Sequence, residues 1–310
     1  MFEKKLRAGE LWIGTGESLG IMMKQNHRLK IFKTIVILFI TVTSFCQDNF
    51  SYNDKKKGQL AISWGWNRGA YTKSDISFKG NDYDFKLYHV KAHDVPTSMG
   101  SLYKYLKVDM LTLPQTNLRV SYFIKDNLAI SFGDDHMKYV MTQDQTVRMK
   151  GNITRSGNYE GAYDGDMKMT TDFLTFEHTD GLNYLNFELE KYFTWYHSKS
   201  DWCIISSMAG VGAGVLFPKT NVKLLDYARN DRFHISGFGT SVKIGIQGTF
   251  FKHFIVRAED KYGYINMPNI ILHKKGIAGR AKQQFFFTEA YFTAGVSFTL
   301  CHKRKPKKNQ

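Results

Sequence analysis

The stretch LNYLNFELEKYFTWYHSKSDWCIIS, residues 182–206, alternates apolar and polar side chains before it ends in a polar turn. In an extended chain, successive side chains point to opposite faces. Phe187 and Leu189 therefore share one face, and Glu188 and Glu190 share the other. One face requires an apolar environment, while the other requires water or charged partners. The stretch predicts a long β-strand that separates a polar space from an apolar one.

Seven further segments alternate in the same way: 60–67, 118–125, 128–133, 202–217, 238–250, 254–265 and 290–300. A strand that crosses a membrane needs about 9–11 residues, whereas strands of globular proteins centre on about 5–6. Several of the segments reach the longer value. Strand length therefore favours a membrane barrel over a soluble β-sandwich.

The connections between these segments alternate strictly between short and long. The short ones are 125–127, 197–201 and 251–253, and the long ones are 69–116, 143–181, 218–236 and 266–284. Outer-membrane barrels have short periplasmic turns and longer extracellular loops. The pattern predicts an all-β, transmembrane, antiparallel up-and-down barrel of eight strands with both termini in the periplasm. The strand-like pieces 75–80 and 83–91 are expected to form an extracellular hairpin, because counting them in the wall would create a long periplasmic connection.

Aromatic residues concentrate near the ends of the predicted strands, where the two interfaces of a bilayer would lie. At the short-turn end they are Trp195, Tyr196, Trp202, Phe250, Phe251 and Phe254. At the long-loop end they are Trp66, Tyr139, Tyr184, Phe217, Phe238 and Phe285–Phe287. This distribution predicts two aromatic girdles. The alternative is that these rings are ordinary core aromatics of a soluble β-protein.

The N-terminal region has the pattern of an export signal. A basic segment, 24–33, precedes a short apolar segment, 34–46, in which the small residues Ser44 and Cys46 lie just before Gln47. This order is typical of a secretory signal peptide, and the apolar run is shorter than the roughly 20 residues of a membrane-spanning helix. We therefore expect the mature chain to begin at Gln47.

Residues 1–22 are unlike an export signal, so translation is expected to start at Met22 or Met23 and to leave 1–22 as an upstream extension. The expected organisation is then a signal peptide at 23–46, a periplasmic segment at 47–58, an outer-membrane barrel at 59–301 and a basic tail at 302–310.

The formal net charge of +15 is compatible with nucleic acid, an anionic membrane surface or a solvated basic tail. Export and barrel patterning argue against nucleic acid. The three cysteines, at positions 46, 203 and 301, have no metal-ligand spacing and form no disulfide framework. Expected partners are outer-membrane lipid, lipopolysaccharide and the barrel assembly machinery. No cofactor is expected. An extracellular ligand is possible, and the sequence does not identify it.

The inward face of the predicted barrel carries charges of both signs. An eight-stranded barrel is just wide enough for side chains to fill its interior, and unpaired buried charges are very costly. We therefore expect a structural ion-pair network, with catalytic carboxylates as the alternative. Its predicted members are Arg119, Glu188, Glu190, Lys243, Arg257, Glu259 and Lys261.

Two polar clusters are expected at the extracellular rim. They consist of Asp134, Asp135 and His136, and of Glu177, His178 and Asp180. Adjacent Asp and His side chains suit a general base, and a shared set of carboxylates and imidazoles suits a transition metal. Solvated loop residues have the same composition. We therefore assign no catalytic residue and no metal ligand, and keep these six as rim-site candidates.

Several stretches give the chain a family resemblance: GWNRGAYTKSDISFKGNDYDFKLYHVKA (65–92), DHMKYVM (135–141), FEHTDGLNYLN (176–186), GAGVLFPKTN (212–221) and GYINMPNI (263–270). The chain resembles the small eight-stranded outer-membrane β-barrel proteins of Gram-negative bacteria over about residues 59–300, in particular barrels without an assigned activity. The resemblance implies fold and location only. The expected function is a non-enzymatic barrel that acts through its extracellular loops in envelope integrity or surface binding. The alternatives are a rim-active lipid-modifying enzyme, such as a lipid A acyltransferase or deacylase, and a narrow channel.

Overall fold

The computed structural model describes residues 55–95, 115–227, 230 and 232–300. The expected signal peptide, the upstream extension, most of the segment 47–58 and the basic tail lie outside the described residues. The strands are β1 (Gln59–Tyr71), β2 (Ser74–Gly80), β3 (Tyr83–Val90), β4 (Ala92–His93), β5 (Thr116–Lys125), β6 (Leu128–Met141), β7 (Thr146–Ile153), β8 (Gly161–Lys168), β9 (Leu174–His197), β10 (Cys203–Leu216), β11 (Asn221–Leu224), β12 (Gly237–Phe250), β13 (Phe254–Ile271) and β14 (Gly279–Thr299). Within these ranges, no helix is long and apolar enough to cross a membrane.

The wall is a closed antiparallel barrel. Its strands follow the order β1-β5-β6-β9-β10-β12-β13-β14, and β1 pairs with β14 to complete the ring. The closing register joins Leu60 to Phe298 and Trp66 to Phe292. Each of these eight strands overlaps one of the eight predicted segments, so the predicted fold class is confirmed. Closure leaves the wall without an exposed strand edge.

The short connections lie together at one end of the barrel, which we call the turn end. They are Asp126–Asn127 between β5 and β6, residues 198–202 between β9 and β10, and residues 251–253 between β12 and β13. Asn127 adopts a φ of 58°, a left-handed conformation that asparagine tolerates well. The long connections leave from the opposite end, as the sequence predicts.

The two faces of the wall differ in polarity. Outward-facing apolar side chains are exposed, including Phe187 at 62%, Val211 at 57% and Val242 at 54%. Inward-facing neighbours such as Glu188 and Ser241 are buried. A broad apolar exterior around a polar interior is the arrangement of a barrel whose solvent on the outside is lipid.

The outward-facing residue Asp260 breaks this pattern in the middle of a wall strand. Asp260 lies midway along β13, in register with Ile244 on β12 and Ala290 on β14, and its side chain is exposed. Within the described chain it has no hydrogen bond or ion pair. A carboxylate on a lipid-facing surface is destabilising, although less so than a lysine or arginine.

Beyond the wall, the long connections fold into a second layer that we call the cap. The β2–β3 hairpin extends the sheet past the end of β1, since β2 pairs with residues 279–284 of β14. The predicted hairpin is therefore present and lies outside the wall. A second hairpin, β7–β8, joins it through the pairing of β7 with β3. This second hairpin is not among the predicted elements. The strands β4 and β11 complete the cap by pairing with β6 and β9.

The cap has an apolar core of its own. Buried side chains from the cap strands and from the ends of the wall strands form it, including Ile76, Phe78, Phe85, Leu87, Met149, Phe173, Phe176, Leu224, Met267 and Leu272. Four rings predicted for the outer girdle, Tyr139, Tyr184, Phe285 and Phe287, are instead buried in this core. The girdle prediction is wrong for these four because the wall strands continue past the apolar belt and turn alternate residues into the cap.

Candidate functional site: a charged lumen beneath an apolar cap

The lumen is filled with charged side chains. Among the described residues, the buried acidic and basic side chains are Lys55, Arg119, Asp135, Glu188, Glu190, Lys243, Arg257, Glu259, Lys261 and Glu289. This set, which we call the lumen network, contains all seven predicted residues. It holds as many basic as acidic groups. This equal number of positive and negative groups matters because a buried charge without a partner is very costly.

Lys243 lies at the centre of the lumen network. Its Nζ atom lies 2.6 Å from Glu188 Oε2, 2.7 Å from Glu190 Oε1 and 2.9 Å from Glu259 Oε2. These carboxylates come from β9 and β13, and Lys243 comes from β12 between them in the chain order. One ammonium group thus links three strands of the wall, β9, β12 and β13.

Towards the cap, Asp135 and Glu188 are held between two cations. Arg119 contacts Asp135 at 2.8 Å and Glu188 at 3.0 Å. Lys261 contacts Glu188 at 2.8 Å and also binds Asp135. Asn186 donates a hydrogen bond to Asp135 at 2.8 Å. Several donors therefore satisfy each of these buried carboxylates, which is the condition under which a buried ion pair is tolerated.

Towards the turn end, hydrogen bonds replace ion pairs. Arg257 donates to Gln247 Oε1 at 2.9 Å and lies 6.0 Å from the ring centroid of Tyr192. Within the described residues it is buried in the lumen but has no carboxylate within ion-pair distance. The register sets Arg257 beside Gln247 of β12, below the level at which Lys243 meets its three carboxylates. Lys55 closes this end by donating to Thr249 Oγ1 at 2.5 Å.

Two acidic members of the lumen network were not recognised as such in the sequence. The sequence pattern predicts Asp135 at the rim, and Glu289 is not among the predicted lumen residues. Asp135 follows Ser131 and Gly133 on the inward face of β6, so strict alternation already placed it in the lumen. Glu289 accepts a hydrogen bond from Asn117 at 3.1 Å, and its Oε2 atom has no hydrogen-bond partner within the described chain.

The cap closes the lumen above this network and is braced by an ion cluster. Arg155 donates to Asp226 at 2.5 and 2.8 Å and to Asp82 at 3.1 Å. Tyr227 donates to Asp82 at 2.6 Å, and the Arg155 guanidinium lies 4.1 Å from the Tyr227 ring centroid. Partial burial raises the pKa of Asp82, but the Tyr227 and Arg155 donors more than offset it and hold that pKa below its usual range. The cluster joins the β2–β3 connection to the segments that follow β7 and β11.

The first predicted rim cluster does not converge. Asp134 faces outward in register with Leu118 and Leu185, whereas Asp135 faces the lumen. His136 Nδ1 lies 2.6 Å from Asn183 Oδ1. Neighbouring residues of one strand point to opposite faces, so Asp134 and Asp135 serve different environments.

The second predicted cluster is packed into the cap. Glu177 accepts a hydrogen bond from Asn221 at 2.6 Å, and buried His178 lies 2.8 Å from Thr220 Oγ1. Burial lowers the pKa of His178 to about 3, which makes its imidazole a poor proton acceptor at neutral pH. The side chain of Asp180 lies outside the described part of the chain.

The two clusters lie on neighbouring strands, but the register separates them. His178 lies opposite Tyr139, and His136 lies opposite Asn183. Across the ranges that the structure describes, no group of three or more His, Cys, Asp or Glu side chains is arranged to hold a metal ion. The geometry therefore brings together the lumen network and leaves the rim candidates dispersed.

A closed ring of eight antiparallel strands, an exposed apolar exterior and a polar, charge-filled interior occur together in this chain. It has the fold of the small outer-membrane β-barrels. That fold is all-β, antiparallel and membrane-spanning, with the long connections gathered at one end.

Comparisons with known proteins find similarity at the level of structure. No family model matches the sequence, and no curated protein matches it. The outer membrane protein AlkL, solved in DMPC lipid bilayers, is 8% identical over 84% of this chain and 100% of its own, with a TM-score of 0.38. The outer membrane protein OprG from Pseudomonas aeruginosa is 11% identical over 79% and 98%, with a TM-score of 0.35. Neisserial surface protein A is 9% identical over 79% and 98%, with a TM-score of 0.31.

Proposed function

We propose that this chain is a non-conducting, non-enzymatic barrel of the outer membrane that acts through its cap and its outer surface, in envelope integrity or in surface binding. The observation that carries the proposal is the filled interior. Ion pairs around Lys243 occupy the lumen, and the apolar core of the cap lies above them. A water-filled path would have to disrupt both layers.

The outer surface is the part of the barrel that remains available for interaction. Its apolar belt provides contact with lipid, so outer-membrane lipid and lipopolysaccharide are the first proposed partners, and the barrel assembly machinery would insert the chain. The enzymatic alternative has less support, because Asp135 faces the lumen, on the opposite face of β6 from Asp134 and His136. A channel has less support because buried ion pairs and the apolar core of the cap occupy the lumen among the described residues.

The non-conducting property can be measured directly. Purified barrel inserted into planar lipid bilayers should give no discrete conductance steps, because the lumen network leaves no continuous aqueous path. A general porin inserted into the same bilayers provides the positive control. Regular single-channel steps from this protein, at a size that scales with salt concentration, would show that the lumen opens and would overturn the proposal.

The proposed orientation places the cap outside the cell and the turn end in the periplasm. A protease recognition sequence inserted after Gly157, in the connection between β7 and β8, should be cleaved on intact cells. Gly157 has no heavy atom within 4 Å of an added Cβ, so the site has room for an insertion. The same sequence inserted between Lys252 and His253 should be cut only after the outer membrane is permeabilised. Cleavage in the reverse order would show that the barrel is inverted.

A further inference from the structure

A cavity of about 440 Å³ opens on the outside of the barrel where the wall meets the cap. We call it the rim pocket. It is lined by the outward faces of β2, β13 and β14 and by the kink at Thr72–Lys73, where β1 ends and β2 begins. Lining residues such as Lys282, Gln284 and Phe286 alternate along β14 with inward-facing residues of the cap core. The pocket therefore faces the surroundings of the barrel and does not open into the lumen.

The rim pocket carries an excess of positive charge. Lys73, Lys86 and Lys282 line it, together with a single carboxylate, Asp75. Lys86 binds Asp75 at 2.9 Å, which neutralises that carboxylate. Lys73 and Lys282 are exposed and have no hydrogen bond or ion pair within the described chain. Two ammonium groups are thus free to bind an anion in the pocket.

The pocket borders the apolar belt of the wall. Phe286 lines it and is 61% exposed, and its ring lies 5.2 Å from the ring of Tyr264. Further down β14, outward-facing Phe292 continues the apolar surface towards the turn end. The Tyr264 hydroxyl donates to Gln284 Oε1 at 2.7 Å, which leaves the polar tip of the ring on the pocket side of the belt. Aromatic residues at this depth are typical of the membrane interface.

We infer that the rim pocket binds the phosphorylated headgroup of a membrane lipid, whose acyl chains lie along the wall below Phe286. Lys73 and Lys282 bind the phosphate, and Tyr264 and Phe286 contact the upper part of the chains. A soluble anion would use only the charged half of this surface, whereas a phosphorylated lipid matches both halves. The inference rests on the proposed placement of the barrel in a membrane and adds a defined lipid site to it.

The experiment measures how well the purified protein retains phosphatidic acid. Wild-type protein is folded in nanodiscs of phosphatidylcholine that contain a minor fraction of phosphatidic acid, and is then released into detergent for native mass spectrometry. The test variant is Lys73→Gln with Lys282→Gln. The matched control is Lys79→Gln, which removes an exposed lysine of β2 that is paired with Asp84 and lies outside the pocket. Gel mobility before and after heating reports whether each variant is folded.

Wild-type protein and the control should retain phosphatidic acid in preference to phosphatidylcholine, and the double variant should lose about 30-fold of that preference. Equal retention by all three folded proteins, or displacement of the lipid by millimolar inorganic phosphate, would overturn the lipid site and leave the barrel proposal intact. Failure of wild-type protein to insert into the nanodiscs would instead overturn the proposed membrane placement.

Discussion

Replacing Lys243 with methionine should lower the free energy of unfolding by about 3–5 kcal/mol, the usual cost of removing one partner from a buried ion pair. The effect is large because three carboxylates, Glu188, Glu190 and Glu259, lie within 2.9 Å of the Lys243 ammonium group. Glu188 retains Arg119 and Lys261 after the substitution, but Glu190 loses the only ion pair it forms with a described residue. Urea-dependent folding into lipid vesicles, followed by the gel-mobility shift, measures the change.

The matched control for this experiment is Lys252→Met in the turn between β12 and β13. Lys252 forms an exposed ion pair with Asp201 at 3.2 Å, so its loss should cost at most about 1 kcal/mol. Adding Glu190→Gln to Lys243→Met should restore part of the lost stability by removing the uncompensated carboxylate. If Lys243→Met were no worse than Lys252→Met, Lys243 would not be the centre of the lumen network.

The wall could be predicted from the sequence because its two sides meet different solvents. Lipid outside and a charged interior impose a period of two on every strand, so segments such as 238–250 stand out without any knowledge of their partners. The alternation of short and long connections then fixed the strand count. It also excluded the β2–β3 hairpin from the wall, where the structure confirms that it pairs with the upper part of β14.

The sequence predicted which charged residues line the lumen more completely than it predicted which of them form ion pairs. Alternation identifies which charges face inward, but the meeting of a given lysine with a given carboxylate depends on how far each strand is displaced along its neighbour. Asp135 and Glu289 were missed although both obey the inward alternation of their strands. Arg257 was included, but the strand register places it nearer the turn end than the ion pairs, where it donates a hydrogen bond to Gln247.

The cap was predicted only in part, because several of its strands are short and one of them has no apolar face. β7 alternates, with Val147, Met149 and Ile153 buried, but it has only eight residues; β8, GAYDGDMK, has mostly polar or small residues and no buried position. β8 is a strand because it pairs with β7, which itself pairs with β3. Such long-range pairing leaves little trace in a local sequence pattern. The contacts of Asp135 leave as little trace, since its partners Arg119 and Lys261 come from the distant strands β5 and β13.

Replacing Leu189 with arginine should destabilise the folded barrel by about 2–4 kcal/mol in lipid vesicles, the cost of a cation on the lipid face near the middle of the membrane. Leu189 lies in register with Ile130 on β6 and Val211 on β10, and all three side chains are exposed on the outer wall. The control is Leu189→Met, which conserves volume and should cost less than about 1.5 kcal/mol. The readout is again urea-dependent folding.

Two substitutions test whether the sign of this effect follows the face of the wall. Glu190→Gln, one residue further along β9, should cost less than Leu189→Arg because Ser121, Ser131 and Tyr192 hydroxyls surround its carboxylate and can bond to an amide.

Asp260→Leu should stabilise the barrel, in contrast to Leu189→Arg, by roughly 1–2 kcal/mol, since it removes a carboxylate from the lipid-facing surface. A silent Leu189→Arg, or an Asp260→Leu that destabilises the barrel in pure lipid, would contradict the assignment of these positions to lipid. Stabilisation by Asp260→Leu in vesicles together with loss of barrel from living cells would instead show that Asp260 is retained for a contact made only in the cell envelope.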